Sequence, residues 1–305
     1  MKILIAEDDR TSQLVLVALL EKFGHDVVVA SDGAEALAIM QQPGAPRLVI
    51  LDWVMPKLDG VEVCRCLRDI PQPDPPYVIL LTAKDEEIHI VEGLDAGAND
   101  YITKPYRTEE LRARIRVGLR MLELQADLNQ AKETLAHEAM HDALTGVLNR
   151  KAILADFQRQ LAVAERQNIP LSIGMCDIDF FKKVNDQYGH QTGDTVLIHF
   201  AQILQNHLRA GDALGRYGGE EFLVIAPYSH GIPEETLFER LRQAVADTPI
   251  PTSVGELHIT MSVGVARHAR GYTLDQILAA ADLALYQAKD QGRNRVVFTP
   301  SPPSI

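Results

Sequence analysis

Short apolar runs alternate with amphipathic segments along the first third of the chain. The runs predict strands, and the segments between them repeat their apolar positions with the period of a helix. The predicted strands are Ile3–Ala6, Val27–Ala30, Leu48–Leu51, Val78–Leu81 and Tyr101–Thr103, and the predicted helices are Thr11–Phe23, Ala34–Met40, Val61–Arg68 and Glu87–Ala96. This alternation is typical of a doubly wound parallel sheet, here five-stranded, whose chemistry gathers beyond the carboxyl ends of its strands.

A single long helix is predicted from Thr108 to Ala139, where Gly118 is the one glycine and proline is absent. Its apolar residues follow an alternating spacing of four and three at Val117, Met121, Leu124, Leu128, Ala131 and Leu135. This spacing predicts a short parallel coiled coil between two copies of the chain. The alternative is a helix that lies on its own domain.

A different order of elements follows from His141 onward. The residues Ala213–Tyr217 and Phe222–Ala226 predict a hairpin around a two-residue turn at Gly218 and Gly219. The other predicted elements are helices at Arg150–Gln167, Asp194–Leu208, Glu234–Ala246 and Leu274–Lys289, and strands at Leu171–Cys176, Ile259–Val265 and Arg295–Phe298. A hairpin mixed with crossover helices predicts an α+β fold.

Length and composition fit two globular domains. The chain has 305 residues, of which 46% are hydrophobic and 24% charged. We expect a domain at residues 1–122, a helical linker at 123–139, a second domain at 140–300 and a disordered Pro-rich tail at 301–305.

Charge and cysteine content narrow the functional classes. The net charge of −12 argues against a sequence-independent nucleic-acid binder and against a membrane-surface protein. The three cysteines are too few for a disulfide framework, and the acidic residues after the first apolar run exclude a signal peptide. The longest apolar run, Leu14–Leu20, is too short to span a membrane. We therefore expect a cytoplasmic protein.

Acidic residues lie where the first strands end. Glu7 and Asp8 follow the first strand and Asp52 ends the third, while Thr82 and Lys104 end the fourth and fifth. Three carboxylates at adjacent strand ends need a cation, and oxygen ligands favour Mg²⁺. One carboxylate is then placed to act as a nucleophile towards a phosphoryl group.

These residues lie in motifs that resemble a response-regulator receiver domain. The motifs are "ILIAEDD", "LDWVMPKLDG", "LLTA" and "DYITKPY". The resemblance implies that Asp52 is the phosphoacceptor and that a histidine kinase or phosphotransfer protein is a partner. It also implies a Mg²⁺ site at Glu7, Asp8 and Asp52, and switch residues at Thr82, Tyr101 and Lys104.

The second half has acidic residues at strand ends of its own. Asp177 ends a strand, the amides of Ile178–Lys182 turn towards its ligand, and Glu220 lies in the hairpin. We expect the two acids to share metal ions under a triphosphate. Asn185 and Asp194 offer an amide and a carboxylate suited to a guanine edge. Two basic residues, one helical turn apart, are placed to meet phosphate oxygens: Lys289 and Arg293.

Four motifs of the second half resemble the GGDEF domain of diguanylate cyclases. They are "HDALTGVLNR", "DIDFFKKVNDQYGHQTGD", "RYGGEEF" and "ADLALYQAKDQGRNR", and they extend over Met140–Phe298. The resemblance implies that a homodimer joins two GTP molecules into cyclic di-GMP and releases two pyrophosphates. It implies two Mg²⁺ ions, or Mn²⁺, held by Asp177, Ile178 and Glu220, and catalytic roles for Glu220 and Glu221. The implied substrate-binding residues are Phe180, Phe181, Lys182, Asn185, Asp194, Lys289 and Arg293.

The tetrad "RAGD" matches the inhibitory product-binding site of the same family. It makes Arg209 and Asp212 candidates for feedback inhibition by cyclic di-GMP, and either Arg240 or Arg242 is a candidate for a further arginine. The alternative for the tetrad is an exposed salt bridge. The main rival function for the whole chain is a non-catalytic response regulator that senses GTP or cyclic di-GMP. A DNA-binding regulator would need a helix-turn-helix segment and a phosphodiesterase a further domain, and the sequence predicts neither.

Overall fold

The computed structural model describes residues 1–70, 74–83, 87–227, 234–268 and 271–299, with the backbone alone at 87–90 and 234–235. The chain divides into two compact units, Met1–Glu133 and Thr134–Ile305. The predicted tail at 301–305 lies outside the described residues, and the domain borders at 122 and 140 stay predictions. Among the helices that are described, none is long and apolar enough to cross a membrane.

The first unit is the predicted doubly wound sheet. Its strands are β1 (Lys2–Ala6), β2 (Asp26–Ala30), β3 (Leu48–Asp52), β4 (Tyr77–Ala83) and β5 (Asp100–Lys104). Its helices are α1 (Arg10–Lys22), α2 (Gly33–Met40), α3 (Gly60–Asp69), α4 (Glu87–Asp95) and α5 (Thr108–Met140), of which α5 continues into the second unit. The strands are all parallel in the order β2-β1-β3-β4-β5. Both the five-stranded parallel sheet and the long helix are thereby confirmed.

Both faces of this sheet are buried, which explains why its strands are continuous apolar runs. Ile3 and Ile5 of β1 pack in one core with residues of α1 and α5, whereas Leu4 packs on the other face with residues of α2 and α3. The functional side chains at the carboxyl ends of these strands are therefore held by a sheet that is packed on both faces.

The second unit is the predicted α+β domain. Its helices are α6 (Arg150–Gln167), α7 (Phe181–Tyr188), α8 (His190–His207), α9 (Glu234–Asp247) and α10 (Leu274–Asp290). Its strands are β6 (Leu171–Ile178), β7 (Ala213–Arg216), β8 (Glu221–Pro227), β9 (Ile250–Thr252), β10 (Gly255–Leu257), β11 (Met261–Arg267) and β12 (Val296–Phe298). The main sheet has the order β12-β11-β6-β8-β7 and is antiparallel except for the pair β11–β12.

Helices cover both faces of this second sheet as well. Phe200 of α8 and Phe238 of α9 pack in one core, and Phe157 of α6 packs in the other with residues of α10. Two features differ from the sequence prediction. The small β9–β10 hairpin and the helix α7 were not predicted, because strands of three residues and a two-turn helix are too short to show a clear period.

Candidate functional site

The first cluster of functional residues is acidic and lies at the carboxyl end of the first sheet. β1 and β3 are parallel neighbours, with Ala6 opposite Leu51, so the residues that follow β1 meet the end of β3. Glu7, Asp8 and Asp52 each bring one carboxylate oxygen within 4.8 Å of the others, the one such group of three found among the described residues. An all-oxygen set of this density fits a small divalent cation.

Lys104 at the end of β5 neutralises part of this charge. Its Nζ lies 2.7 Å from Glu7 Oε2 and 2.9 Å from Asp52 Oδ2. Burial opposes the charge on Lys104, but the hydrogen bonds with Glu7 and Asp52 outweigh it and raise the pKa of Lys104. Burial raises the pKa of Glu7, with Lys104 acting in the opposite direction. The cluster is thus a carboxylate site with one fixed ammonium.

Of the other two predicted residues, Thr82 lies beside the end of β4 and Tyr101 lies three residues before the end of β5. Thr82 is buried on β4 opposite Thr103 of β5, and β4 lies between β3 and β5. Tyr101 is half-buried on β5. Gly60 leaves room for the acid site, because a Cβ there would lie 2.3 Å from the carbonyl oxygen of Asp52. That close approach explains the glycine of the motif "LDG".

A second group of carboxylates lies where β6 ends and β8 begins. Asp177 of β6 stands opposite Glu221 of β8 in the antiparallel register, and Glu220 directly precedes β8. Lys289 of α10 places its Nζ 2.8 Å from Asp177 Oδ2. These acids converge less closely than the first cluster, and Lys289 partly balances their charge.

Burial dominates the electrostatics of this second group. Burial raises the pKa of Asp177, and Lys289 opposes the shift. Burial and then the charge of Asp177 raise the pKa values of Glu220 and Glu221. Three carboxyl groups that each resist ionisation are the donor set that a divalent cation would stabilise.

The turn that carries Glu220 differs from the predicted two-residue turn. The amides of Tyr217 and Gly218 both donate to the carbonyl oxygen of Glu221, so four residues connect the strands. Neither glycine of the turn is among the residues with positive φ. Gly218 is instead required for space, since a Cβ there would lie 2.6 Å from Glu221 Oε2.

An arginine that the sequence analysis did not identify holds this turn. The Nε and Nη2 atoms of Arg216 donate to the carbonyl oxygen of Gly219 at 3.1 and 2.7 Å. Its Nη1 lies 3.1 and 3.3 Å from the two carboxylate oxygens of Asp142. Burial opposes ionisation of Asp142, but hydrogen bonds from Thr145 and Arg216 lower its pKa. Asp142 and Arg216 lie within the motifs quoted above, but their separation in sequence gives no sign of the pairing.

The segment after β6 carries several of the predicted substrate residues. Phe180 is exposed, Phe181 is buried at the start of α7, and Lys182 is exposed. Asn185 lies on α7, and its side chain fills the space beside Gly193, where a Cβ would be 1.9 Å from Asn185 Oδ1. Gly193 directly precedes Asp194 in α8, so the Asn185 side chain packs against the backbone next to Asp194.

Lys289 and Arg293 were predicted to be one helical turn apart, and this prediction is wrong. Lys289 lies in the last turn of α10, which ends at Asp290, whereas Arg293 follows the helix with φ of 66°. Its guanidinium carbon lies 4.5 Å from the centre of the Phe180 ring. The glycine signal at Gly292 marked the end of the helix correctly, but the helix ends before Arg293.

A further buried carboxylate, Asp179, was also missed. It accepts hydrogen bonds from the hydroxyl groups of Thr260 and Ser262, at 2.6 and 2.7 Å, and from the amide of Asn294 at 3.0 Å. The signal available in the sequence was its position two residues after Asp177, at the end of a buried strand.

The tetrad Arg209–Asp212 forms a turn beside a separate cavity of about 440 Å³. Asp212 Oδ2 accepts from the amide of Arg209, and the amide of Asp212 donates to the carbonyl oxygen of Arg209, both at 3.0 Å. Arg240 donates to the carbonyl oxygen of His207 at 2.8 Å, whereas Arg242 bonds to Glu239 and Asn294. Of the two candidate arginines, Arg240 thus contacts the segment that leads into the tetrad.

Known proteins with similar sequences share both units. Residues 139–295 match the family described as diguanylate cyclase, GGDEF domain, and residues 3–116 match the response regulator receiver domain. The response regulator PleD of Caulobacter vibrioides is 33% identical over 293 residues, which are 95% of this chain and 64% of PleD. The diguanylate cyclase DgcM of Escherichia coli is 40% identical over 184 residues, 58% of this chain and 43% of DgcM. The chain therefore spans less than two thirds of the length of these relatives.

Solved structures agree with the sequence comparison. The coiled coil and GGDEF domain of DgcB from Caulobacter crescentus, in complex with c-di-GMP, has a TM-score of 0.56 and 33% identity, and covers 62% of this chain and 98% of its own. The diguanylate cyclase SiaD from Pseudomonas aeruginosa, in complex with its activator SiaC, has a TM-score of 0.52 and 36% identity, over 62% of this chain and 72% of its own. The chain belongs to the diguanylate cyclase GGDEF-domain family, and a response regulator receiver domain precedes its GGDEF domain.

Proposed function

We propose that the chain is a phosphorylation-regulated diguanylate cyclase that condenses two GTP molecules into cyclic di-GMP and two pyrophosphates. The observation that carries the proposal is the group of carboxylates at Asp177, which is buried, and Glu220 and Glu221, which are half-buried, with Lys289 bonded to Asp177. Each 3′-hydroxyl oxygen attacks the α-phosphorus of the other nucleotide, and the bond to the β-phosphate breaks.

Asp177, Glu220 and the backbone of Ile178 are the residues that would hold the metal. A bound Mg²⁺ or Mn²⁺ would lower the pKa of the attacking hydroxyl and would stabilise negative charge on the phosphoryl oxygens. Glu221 assists in holding the metal or in accepting the proton. The ammonium of Lys289 is 2.8 Å from Asp177, so Lys289 is the cation next to this carboxylate that we assign to a phosphate oxygen.

The remaining substrate residues act on the two ends of GTP. Asn185 and Asp194 recognise the guanine edge, a role supported by the position of the Asn185 side chain against Gly193, the residue before Asp194. Lys289, Arg293 and the backbone at Phe180, Phe181 and Lys182 bind the triphosphate at the start of α7.

The decisive test of the catalytic assignment is Glu220→Gln. It keeps the shape of the side chain but removes a charge, so turnover should fall on the order of a hundredfold or more while the melting temperature stays unchanged. Glu256→Gln on β10 is the matched control, since it removes the same charge from an exposed glutamate on the small hairpin. A Glu220→Gln protein that forms cyclic di-GMP at the wild-type rate would disprove the assignment.

Phosphorylation of Asp52 is the proposed input. The donor is a histidine kinase or phosphotransfer protein, and Mg²⁺ at Glu7, Asp8 and Asp52 would offset the charge that the phosphoryl group adds. Lys104 already contacts Asp52, so a phosphoryl group on Asp52 changes the hydrogen bonds of Lys104 directly. We expect Thr82 on β4 and Tyr101 on β5 to move in response.

A homodimer paired along α5 is proposed to couple phosphorylation of Asp52 to synthesis of cyclic di-GMP. A dimer is needed because one domain binds one GTP and the reaction needs two. The apolar seam supports it: Val117, Met121, Leu124, Leu128 and Leu135 are each about half exposed or more. An exposed apolar row on a helix of 33 residues fits a partner helix.

The regulatory proposal is tested with acetyl phosphate as donor. Asp52→Asn should keep the basal rate of product formation and lose its stimulation, and Leu128→Pro should lose stimulation although Asp52 is phosphorylated. Asp69→Asn, an exposed carboxylate at the end of α3, is the matched control. Equal stimulation of Asp52→Asn and wild type would exclude Asp52 as the switch.

Cyclic di-GMP is also the proposed inhibitor, bound at Arg209 and Asp212 with Arg240 as the nearer of the two further arginines. The cavity of about 440 Å³ that Arg209 and Asp212 line supports this role.

A further inference from the structure

Phe180 directly precedes α7, and its carbonyl oxygen accepts a hydrogen bond from the amide of Lys183. Its backbone is left-handed, with φ of 57°, which is unfavourable for a bulky side chain. The ring is 51% exposed, so it contributes little to any core. Strained residues that do not serve packing concentrate at functional sites.

Two cations lie on this ring. The guanidinium carbon of Arg293 is 4.5 Å and the ammonium nitrogen of Lys183 is 4.4 Å from the centre of the Phe180 ring. Both distances are well inside the range of about 6 Å over which an aromatic face attracts a cation. The ring therefore fixes the position of two long side chains that would otherwise sample many rotamers.

The ring and Arg293 are anchored to the same buried side chain. Phe180 directly follows Asp179, which is 5% exposed. Asp179 accepts the amide hydrogen of Asn294, the residue after Arg293, and both Arg293 and Asn294 have left-handed backbones. One carboxylate thus holds the two turns that bring the ring and the guanidinium together.

This arrangement lies next to the carboxylates of the proposed catalytic site. Asp177 is three residues before Phe180 and bonds to Lys289 of the helix that leads into Arg293. Arg293 and the Phe180 ring therefore lie on the segments that follow α10 and β6, the two elements that carry Lys289 and Asp177.

We propose that Phe180 is a positioning residue for the triphosphate, which holds Arg293 and Lys183 on its ring before the substrate binds, and that Lys183 is a further triphosphate-binding cation. The inference rests on the proposed binding of GTP. Cations that are already in place lose less conformational freedom when the phosphates arrive, so the ring strengthens substrate binding more than it changes the chemical step.

The test compares the full-length protein with Phe180→Leu, Phe180→Asn and Phe180→Trp. Leu keeps an apolar side chain, Asn tolerates the left-handed backbone, and Trp keeps an aromatic face. Leu and Asn should each raise KM and the calorimetric Kd for GTP about 5- to 30-fold and change kcat less than about threefold, and Trp should restore both values. Phe298→Leu, which removes the ring under Arg267, is the matched control and should leave KM unchanged.

A double-mutant comparison isolates the role of the ring. In a protein that also carries Lys183→Gln and Arg293→Gln, Phe180→Leu should change the Kd for GTP less than about twofold. The same change in Kd with and without the two cations would overturn the inference, as would an unchanged Kd for Phe180→Leu alone. A chain that binds GTP but forms no cyclic di-GMP would refute the cyclase proposal only, since the Kd series still tests Phe180. A chain that does not bind GTP would refute both.

Discussion

Arg216 offers the sharpest link between the structure and activity, because it ties the turn before Glu220 to the first residues of the second unit. Replacing it by Met keeps the length of the side chain and removes two hydrogen bonds to Gly219 and two to Asp142. The side chains of Arg216 and Asp142 are only 18% and 23% exposed, so solvent compensates for little of the loss. We expect a cost of about 2–3 kcal/mol in the free energy of unfolding of the second unit.

Two assays test this expected loss of stability. Arg216→Met should lower the melting temperature of the second unit by about 5–10 °C, and the loosened turn should reduce turnover of GTP by about a hundredfold at temperatures where the protein is folded. Arg159→Met is the control, since the Arg159 side chain is 70% exposed in its ion pair with Asp156 and should change neither value.

The pH dependence gives an independent check on the same interaction. The pKa of Asp142 is lowered, so its contribution to stability is complete above the ordinary range of carboxyl pKa values and is lost as the pH falls through the lowered pKa. The difference in stability between wild type and Arg216→Met should be constant near neutral pH. It should shrink below about pH 4 to the part that the two bonds to Gly219 contribute. Wild-type stability and turnover in Arg216→Met would refute this account of the turn.

Three further predictions concern other sites. Arg209→Ala should retain the initial rate of product formation and lose the slowing caused by added cyclic di-GMP, and progress curves that slow equally in both proteins would leave the tetrad as a structural turn. Burial raises the pKa of Cys176 to about 12, so a thiol reagent near neutral pH should modify half-buried Cys66 first, and rapid modification of Cys176 would contradict the buried strand. Gly193→Ala should displace the Asn185 side chain and raise KM for GTP about tenfold with little change in melting temperature, and an unchanged KM would exclude Asn185 from guanine recognition.

The parallel sheet and the acid cluster could be predicted because both follow from the succession of apolar runs and polar residues along the chain. In a doubly wound sheet the end of each strand lies on one edge, so Glu7, Asp52 and Lys104 can be brought together from their positions after apolar runs alone. The structure adds contacts that no periodic pattern in the sequence predicts. Lys104 bonds to two carboxylates at once, and the close approach at Gly60 depends on the path of the chain after β3.

In the second unit, such reasoning did not predict the contacts between distant segments or the left-handed turns. Asp177 and Glu220 were found from strand ends and motifs, but the pairing of Asp142 with Arg216 joins segments 74 residues apart. Arg293 was placed one turn beyond Lys289 on a helix that ends before it, because a left-handed turn leaves no trace in a periodic pattern. The positions of Phe180 and Asn294 likewise depend on a buried carboxylate, Asp179, whose partners come from two separate segments.

The central claim is that this chain makes cyclic di-GMP, and the most direct measurement is the product formed from GTP and Mg²⁺ by the purified full-length protein. We predict one cyclic di-GMP and two pyrophosphates for every two GTP consumed, with a specific rate that rises with protein concentration because two GTP-loaded domains must meet. Asp177→Asn should abolish the product and retain the fold. A wild-type protein that binds GTP or cyclic di-GMP tightly but forms no cyclic di-GMP, with or without acetyl phosphate, would contradict the claim and identify the chain as a sensor.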